Sequence, residues 1–247
     1  MFHPRPIAPM RPSSILRSLV LLPLFAALLA LVPEESESQT IPSPYRFIEE
    51  QHDFGFFVSY LSENRGMVSA APGGGALYGA RFGTQLGSGV FAFDGTTWLL
   101  PTKRIVWDPS DPTEGLVNLG ETTSLVAGLD ARLRFNLAGP RTWNGLSPFV
   151  LMGAGLTGDL SPRSDLEEVL LSEERFSFGP SALGLVGGGT HFVRGERLTL
   201  RLDSVLHIWK AGIPRPFQVF SEEFGAEVPE DEWLGVWSIG LGASFRF

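Results

Sequence analysis

The chain ends, at residues 233–247, in the segment WLGVWSIGLGASFRF. Its odd-numbered positions are apolar almost throughout, while its even-numbered positions become small or polar after Leu234 and Val236. Alternation with a period of two indicates a β-strand with one apolar face and one polar face. Soluble β-sandwiches contain such strands too, so the number of partner strands decides between a sandwich and a barrel.

Earlier segments show similar alternation and complete a set of eight candidate strands. The predicted strands span residues 52–61, 75–85, 89–99, 123–137, 148–158, 176–192, 197–209 and 233–247. The fourth is very regular, with Leu129 and Leu133 on the face opposite to Arg132. The sixth is rich in glycine and ambiguous in phase. Pro180 weakens it further, because proline cannot donate to a strand ladder.

The connections between these strands alternate between long and short. The long ones span residues 62–74, 100–122, 159–175 and 210–232, and the short ones 86–88, 138–147 and 193–196. Bacterial outer-membrane barrels combine an even number of strands with short periplasmic turns and long extracellular loops. The rhythm therefore predicts an all-β fold, an eight-stranded antiparallel up-and-down transmembrane β-barrel with both ends on the periplasmic side.

Three of the long connections contain hints of local structure. The segment 100–122 is proline-rich, and a further hairpin around Arg104 to Trp107 is one interpretation of it. In the segment 159–175, Ser164 followed three residues later by Glu167 predicts a helix start. The segment 210–232 ends in the acidic run 227–232, and the aspartates and glutamates of residues 222–232 could attract divalent cations, although such runs are usually only solvated.

The N-terminal residues have the features of an export signal. Arg5, Arg11 and Arg17 precede an apolar run at residues 19–32, which is typical of a secretory signal peptide and short for a membrane-spanning helix. We predict a signal peptide at residues 1–38, a periplasmic leader at 39–51 and the barrel at 52–247. An uncleaved N-terminal anchor is the alternative interpretation.

Composition restricts the classes of function. The chain of 247 residues has 19 lysines and arginines, 27 aspartates and glutamates, a formal net charge of −8 and no cysteine. An exported acidic chain is a poor binder of nucleic acid, and the lack of cysteine excludes a disulfide framework. After the signal, no segment is apolar for long enough to form a membrane-spanning helix, so a membrane crossing requires a closed sheet.

The polar faces of the predicted strands carry charges of both signs. Side chains fill the lumen of an eight-stranded barrel, and we expect these charges to form a network of ion pairs there. The predicted lumen network comprises Arg81, Asp130, Arg132, Arg134, Arg201, Asp203 and Arg246, with Asp53 and Asp94 also on inward faces. Either the network only neutralises buried charge, or it lines a narrow conduit for ions.

Aromatic residues recur near the ends of the predicted strands. We assign Tyr60, Trp98, Trp209 and Trp233 to a girdle at the loop end, and Phe135, Phe192, Phe245 and Phe247 to one at the turn end. Such girdles are typical of membrane interfaces. The core of a soluble sandwich is the alternative, and strict alternation turns Trp209 inward.

The signal peptide, the eight strands, the rhythm of the connections and the terminal segment 244–247 resemble small outer-membrane β-barrel proteins of the OmpA/OmpX/OmpW type. The resemblance covers residues 52–247 and rests on pattern and the last residue, without a sharp internal motif. It implies that the protein lies in the outer membrane of a Gram-negative-type envelope, surrounded by outer-membrane lipid. It also implies that Phe247 belongs to an assembly signal, through which the C-terminal strand meets the barrel-assembly machinery.

The sequence contains no residue pattern that predicts a catalytic site. Barrels that deacylate lipid A carry a histidine and a serine two residues apart, a pattern absent at His191 and His207. His207 and Asp203 lie on the same predicted inward face, but we interpret His207 as an ordinary polar residue of the lumen and not as a catalytic base. The glycine run at residues 187–189 lacks the context of a phosphate loop. We therefore predict no enzyme activity, no metal site and no cofactor.

A structural or surface-interaction role is the function that we expect, with the long loops as the working surface. The sequence does not identify a loop partner. Three alternatives remain open: a narrow passive channel for ions or small hydrophobic solutes, a lipid-modifying hydrolase, and a soluble β-sandwich or lipocalin-like binder in the periplasm.

Overall fold

The computed structural model describes residues 43–49, 51–109, 115–176, 178–195, 197–220 and 227–247. The elements are β1 (Tyr45–Phe47), β2 (His52–Leu61), β3 (Gly75–Leu86), β4 (Phe91–Asp108), β5 (Val117–Asn136), β6 (Arg141–Trp143), β7 (Leu146–Asp159), α1 (Asp165–Glu168), β8 (Ser181–Arg194), β9 (Leu198–Gly212), a 3-10 helix (Arg215–Phe220) and β10 (Asp231–Arg246). Within the described residues, no helix has the length and apolar character to cross a membrane. The predicted signal peptide and the leader as far as residue 42 lie outside the described residues.

Eight of the strands form a closed antiparallel ring. The order around the ring is β2, β3, β4, β5, β7, β8, β9, β10 and back to β2. The seam between the first and last barrel strands is a full ladder, in which Tyr60 pairs with Ile239 and Val58 pairs with Leu241. The predicted eight-stranded antiparallel barrel is therefore confirmed, and closure leaves no unpaired strand edge around the wall.

The two ends of the barrel differ, and three of the four predicted long loops are long connections in the structure. One end, here called the turn end, carries the short connections 87–90, 137–145 and 195–197 together with His52 and Arg246. The opposite end, here called the loop end, carries the long connections 62–74, 160–180 and 213–230 together with the connection 109–116 of the β4–β5 hairpin.

The segment 100–122, predicted as a long loop, is largely strand. β4 and β5 continue past the barrel wall as a two-stranded hairpin, from the pair Pro101↔Leu125 to the pair Asp108↔Val117. The additional hairpin considered around Arg104 to Trp107 is thus an extension of an existing one. Pro101 is tolerated because the register between β3 and β4 stops at Leu99, which leaves that edge of β4 without a strand neighbour.

The side chains alternate between an apolar exterior and a filled interior. On the outer wall, Leu129 and Ile239 are 65% and 64% exposed, whereas the inward Arg132 and Arg201 are 4% and 1% exposed. This is the arrangement that the alternation in the sequence predicted. In the glycine-rich β8 the inward phase falls on Leu183 and Leu185, which resolves the ambiguity of that segment.

The assignment of Trp98 and Trp209 to the loop-end girdle is wrong. Both indoles are buried inside the barrel at 1% exposure. Trp98 has the same parity in β4 as the inward Asp94, so alternation decides its direction and proximity to the loop does not. The other predicted girdle residues, Tyr60, Phe135, Phe192, Trp233, Phe245 and Phe247, are exposed on the outer surface.

Candidate functional site in the barrel lumen

The charged part of the lumen is centred on Asp94, which is 0% exposed. Its Oδ2 accepts a hydrogen bond from Arg201 Nη1 at 2.9 Å, and its Oδ1 lies 3.4 Å from Arg134 Nη1. Arg201 also donates from Nε to Asp203 Oδ2 at 2.7 Å. Three of the seven predicted network residues, Arg134, Arg201 and Asp203, are thus connected around Asp94, which was predicted to face inward. They come from strands β5 and β9, and Asp94 comes from β4.

The remaining predicted network residues occupy separate positions. Asp130 and Arg132 form their own pair at 2.5 Å between Oδ1 and Nε, and Trp98 Nε1 donates to the other oxygen of Asp130 at 3.0 Å. Arg81 Nε lies 4.0 Å from Asp53 Oδ1. At the turn end, Arg246 Nη2 donates to the carbonyl oxygen of Gly195 at 3.3 Å.

An aromatic ring supports the cluster around Asp94. The guanidinium carbon of Arg201 lies 4.3 Å from the centroid of Phe149, and that of Arg134 lies 5.7 Å away. The ring of His191 stacks on Phe149 at 4.7 Å, with its Nε2 3.1 Å from Arg134 Nη1. Phe149 is not among the predicted lumen residues, although its position one residue before the outward Val150 indicates an inward direction.

A histidine and a serine meet in the same part of the lumen. His207 Nε2 lies 2.9 Å from Ser238 Oγ, and both residues are buried. They border a cavity of about 10 Å³ that Arg81, Arg132 and Asp203 also line. A cavity of this size has room for about one water molecule.

Toward the loop end the lumen becomes apolar. Side chains from the connections fold into the barrel mouth and pack against Trp98, Trp209 and Leu183 of the wall. We call these inserted residues the apolar plug; they are Val68, Ala70, Ala71, Phe176, Phe178, Ile213, Phe217 and Val228. Phe178 meets Trp209 edge to face, with 5.9 Å between ring centroids. The paired charges therefore lie toward the turn end, together with Phe149, and buried apolar side chains predominate toward the loop end.

A buried ion pair fastens the connection 160–180 to the extended hairpin. Arg104 Nη2 donates to Glu167 Oε1 at 2.6 Å, and Arg104 Nε lies 3.7 Å from Asp159 Oδ2. Ser164 caps the helix α1 with Glu167 in a capping box, which confirms the predicted helix start. Burial by itself raises the pKa of Glu167, but hydrogen bonds from Arg104 and Ser164 outweigh it and lower the pKa.

The loop end also carries polar contacts and an open groove. Glu232 of the acidic run accepts hydrogen bonds from the backbone N–H of Met67 at 3.0 and 3.2 Å. The groove, of about 700 Å³, lies between the hairpin and the start of the connection 160–180. Its lining includes Arg65, Lys103 and Arg163. Within the described residues, no group of three or more histidines, cysteines or carboxylates is arranged to hold a metal ion.

No protein-family model and no curated protein matches the chain. Solved structures with a similar fold are small outer-membrane barrels. The N-terminal β-barrel domain of Pseudomonas aeruginosa OprF is 14% identical, with a TM-score of 0.41 and coverage of 81% of this chain and 100% of that one. The outer membrane protein OprG from the same organism is 11% identical, with a TM-score of 0.48 and coverage of 81% of this chain and 97% of that one. Neisserial surface protein A is 11% identical, with a TM-score of 0.44 and coverage of 83% of this chain and 98% of that one.

Proposed function

We propose that the protein is an integral outer-membrane barrel with a structural or surface-interaction role and a lumen that does not conduct. A closed wall satisfies the backbone hydrogen bonds, which is a requirement for crossing a bilayer with strands. The wall exposes large apolar side chains such as Leu129, Met152 and Ile239 all round, at 62% to 65% exposure. Water would be a poor solvent for such a surface, and lipid a good one.

The test of membrane insertion is the behaviour of the full-length protein in cells. We expect it in the outer-membrane fraction, extracted only by detergent, and migrating faster on a denaturing gel before boiling than after it. The closed ladder between β2 and β10 gives the physical reason, because such a barrel opens only when all its strands unfold together. A protein that stays soluble without detergent would instead be a periplasmic binder.

The filled lumen is the observation that carries the non-conducting role. An ion moving along the axis would have to pass the Asp94–Arg201 pair, whose side chains are 0% and 1% exposed, and then the apolar plug. Each barrier opposes an ion for a different reason: the first is a set of paired buried charges, and the second offers no polar contacts.

Planar bilayer recordings on purified protein test this proposal. We expect no stable conductance steps at neutral pH and moderate salt. Reproducible single-channel steps from the wild type would support the passive channel and overturn our assignment. The same preparation, added to lipid A and followed by mass spectrometry, should leave the lipid unchanged, since the pair of His207 and Ser238 borders a cavity of about 10 Å³.

The loop end is the surface that we propose for interaction. Two of its connections are anchored: Arg104 holds Glu167 of the connection 160–180, and Glu232 holds the backbone of Met67 in the connection 62–74. Val169 and Leu171 remain 75% and 68% exposed on this surface. Rigid loops that present apolar side chains lose little entropy on binding a partner.

A further inference from the structure

The predicted leader contributes a strand at the turn end. β1 and β6 form a short antiparallel ladder in which Tyr45 pairs with Trp143 and Phe47 pairs with Arg141. Backbone hydrogen bonds from Asn144 N–H to the Pro44 oxygen at 2.7 Å and from Ile48 N–H to the Pro140 oxygen at 2.9 Å extend it at both ends. The segment is therefore fixed against the connection 137–145.

The register of this ladder decides which way its side chains point. Trp143 pairs directly with Leu146 at the start of β7, and residues paired directly across an antiparallel ladder share a face. In β7, Ser147 and Phe149 are buried in the lumen, so Leu146 lies on the outer, lipid-facing side. Trp143 and its partner Tyr45 belong to that same outer side.

The outer face of the small ladder is aromatic and carries one cation. Tyr45, Phe47 and Trp143 are 56%, 62% and 53% exposed, and the guanidinium carbon of Arg141 lies 4.8 Å from the centroid of Phe47. We call these four residues the aromatic platform. The opposite face carries Arg46 and its partner Thr142.

We propose that the aromatic platform docks on the phospholipid headgroups of the membrane leaflet at the turn end. Tyrosine and tryptophan have an apolar body and a polar tip, which suits the boundary between hydrocarbon and headgroups. Arginine matches phosphate through paired donors. The platform continues the outer surface of β7, so it reaches the membrane surface where the barrel wall leaves it.

This inference rests on the proposed membrane location, and it adds an anchoring role for residues 45–47. The leader is then a part of the membrane-bound surface: it holds the turn end at a fixed depth. Because the ladder joins β1 to the connection between β5 and β7, loss of either strand would remove the platform.

Site-specific fluorescence tests the proposal in the full-length protein refolded into phosphatidylcholine vesicles. The chain has no cysteine, so the single variants Phe47→Cys and Arg46→Cys can each be labelled at one position with the environment-sensitive dye nitrobenzoxadiazole. The two positions are neighbours in the chain and lie on opposite faces of the β1–β6 ladder. We expect a lipid spin-labelled at the headgroup to quench the label at position 47 at least about twofold more than the label at position 46, since only the outer face meets the interface.

A third labelled variant, Leu129→Cys, reports on the barrel wall, where the wild-type side chain is 65% exposed. Its label is tested against a lipid spin-labelled in the acyl chain, because a headgroup spin label quenches only at short range. Quenching at position 129 without quenching at position 47 would overturn the platform and leave the membrane barrel intact. Equal quenching at positions 46 and 47 would overturn it as well, because the two faces of the β1–β6 ladder would then lie equally close to the headgroups. Absence of quenching at position 129, in protein that shows the heat-dependent gel shift, would overturn the membrane location and the platform together.

Discussion

At the centre of the lumen, Asp94 is the carboxylate shared by two arginines from different strands, Arg134 and Arg201. A buried ion pair is not in itself evidence of high stability, because the desolvation of both partners opposes their attraction. Removal of one partner is different, since the charges that remain are buried without compensation. Asp94 is therefore the residue at which a small change should have the largest effect.

We expect Asp94→Asn to lower the free energy of unfolding by about 3–5 kcal/mol, the range found when a buried pair loses one partner. Urea unfolding of the protein in lipid vesicles measures it. Asp231→Asn is the matched control, because the pair of Lys210 and Asp231 has side chains 44% and 43% exposed and should contribute about 0–1 kcal/mol. Equal effects of the two substitutions would show that Asp94 is not the centre of a buried network.

Glu167 gives a pH-dependent contact at the loop end. Because the folded-state pKa of Glu167 lies below its ordinary value of 4.5, its ionised form stabilises the folded state. That contribution is complete above the ordinary pKa and disappears as the pH falls through the lower, folded-state pKa. Glu167 contacts Arg104 and Ser164 directly, and Arg104 also lies near a second carboxylate, that of Asp159.

We expect Glu167→Gln to speed proteolysis within the connection 160–180 at pH 7, while the difference from wild type vanishes once the pH lies below the folded-state pKa. Limited digestion with an acid-tolerant protease across this range measures it. Glu168→Gln, an exposed position in the same helix, should behave as wild type. A difference between Glu167→Gln and wild type that stays constant as the pH falls would contradict the contact.

At the scale of elements, the pairing of β4 with β5 depends on a glycine. Gly128 is the direct partner of Trp98, and a Cβ atom at Gly128 would come within 2.1 Å of the indole. The indole lies across the neighbouring strand and reaches Asp130 on it. A side chain at position 128 would displace the ring and break this hydrogen bond.

We expect Gly128→Ala to destabilise the barrel by about 1–3 kcal/mol, as overpacking of a filled interior generally does. Gly95→Ala is the control in the same strand pair, since nothing lies within 4 Å of a Cβ atom there and the substitution should be neutral or slightly stabilising. Unfolding in urea, with tryptophan fluorescence as the signal, compares the two. A larger loss of stability in Gly95→Ala would refute this account of the β4–β5 contact.

At the scale of the whole molecule, the sequence predicts what depends on alternation and misses what depends on distant contacts. Strands β5 and β10 have clear faces, so their outward and inward residues follow from parity. The joining of Asp94 to Arg201, which are 107 residues apart in the chain, depends on the order of strands around the ring. The insertion of Phe178 and Phe217 into the mouth, and the pairing of β1 with β6, likewise depend on tertiary packing.

Closure of the ring is the property on which the other features depend, and a disulfide can test it in this cysteine-free chain. Val58 and Leu241 are direct partners across the β2–β10 seam. Antiparallel partners have Cα atoms about 4.5–5.5 Å apart, within the range that a disulfide spans. We expect the double variant Val58→Cys, Leu241→Cys to form a cross-link under mild oxidation, so that the boiled, unreduced chain migrates as a compact loop.

The control for the seam pairs Val58→Cys with Phe245→Cys. Phe245 is the partner of Phe54, and its offset from Val58 along the strand is about 13 Å at the usual rise per residue, beyond the reach of a disulfide. Cross-linking should therefore occur in the first variant and not in the second, provided that both show the heat-dependent gel shift. Equal cross-linking in both would indicate a seam that slips, and failure of the paired cysteines in folded protein would indicate an open sheet, whose charged lumen side would then meet solvent or lipid.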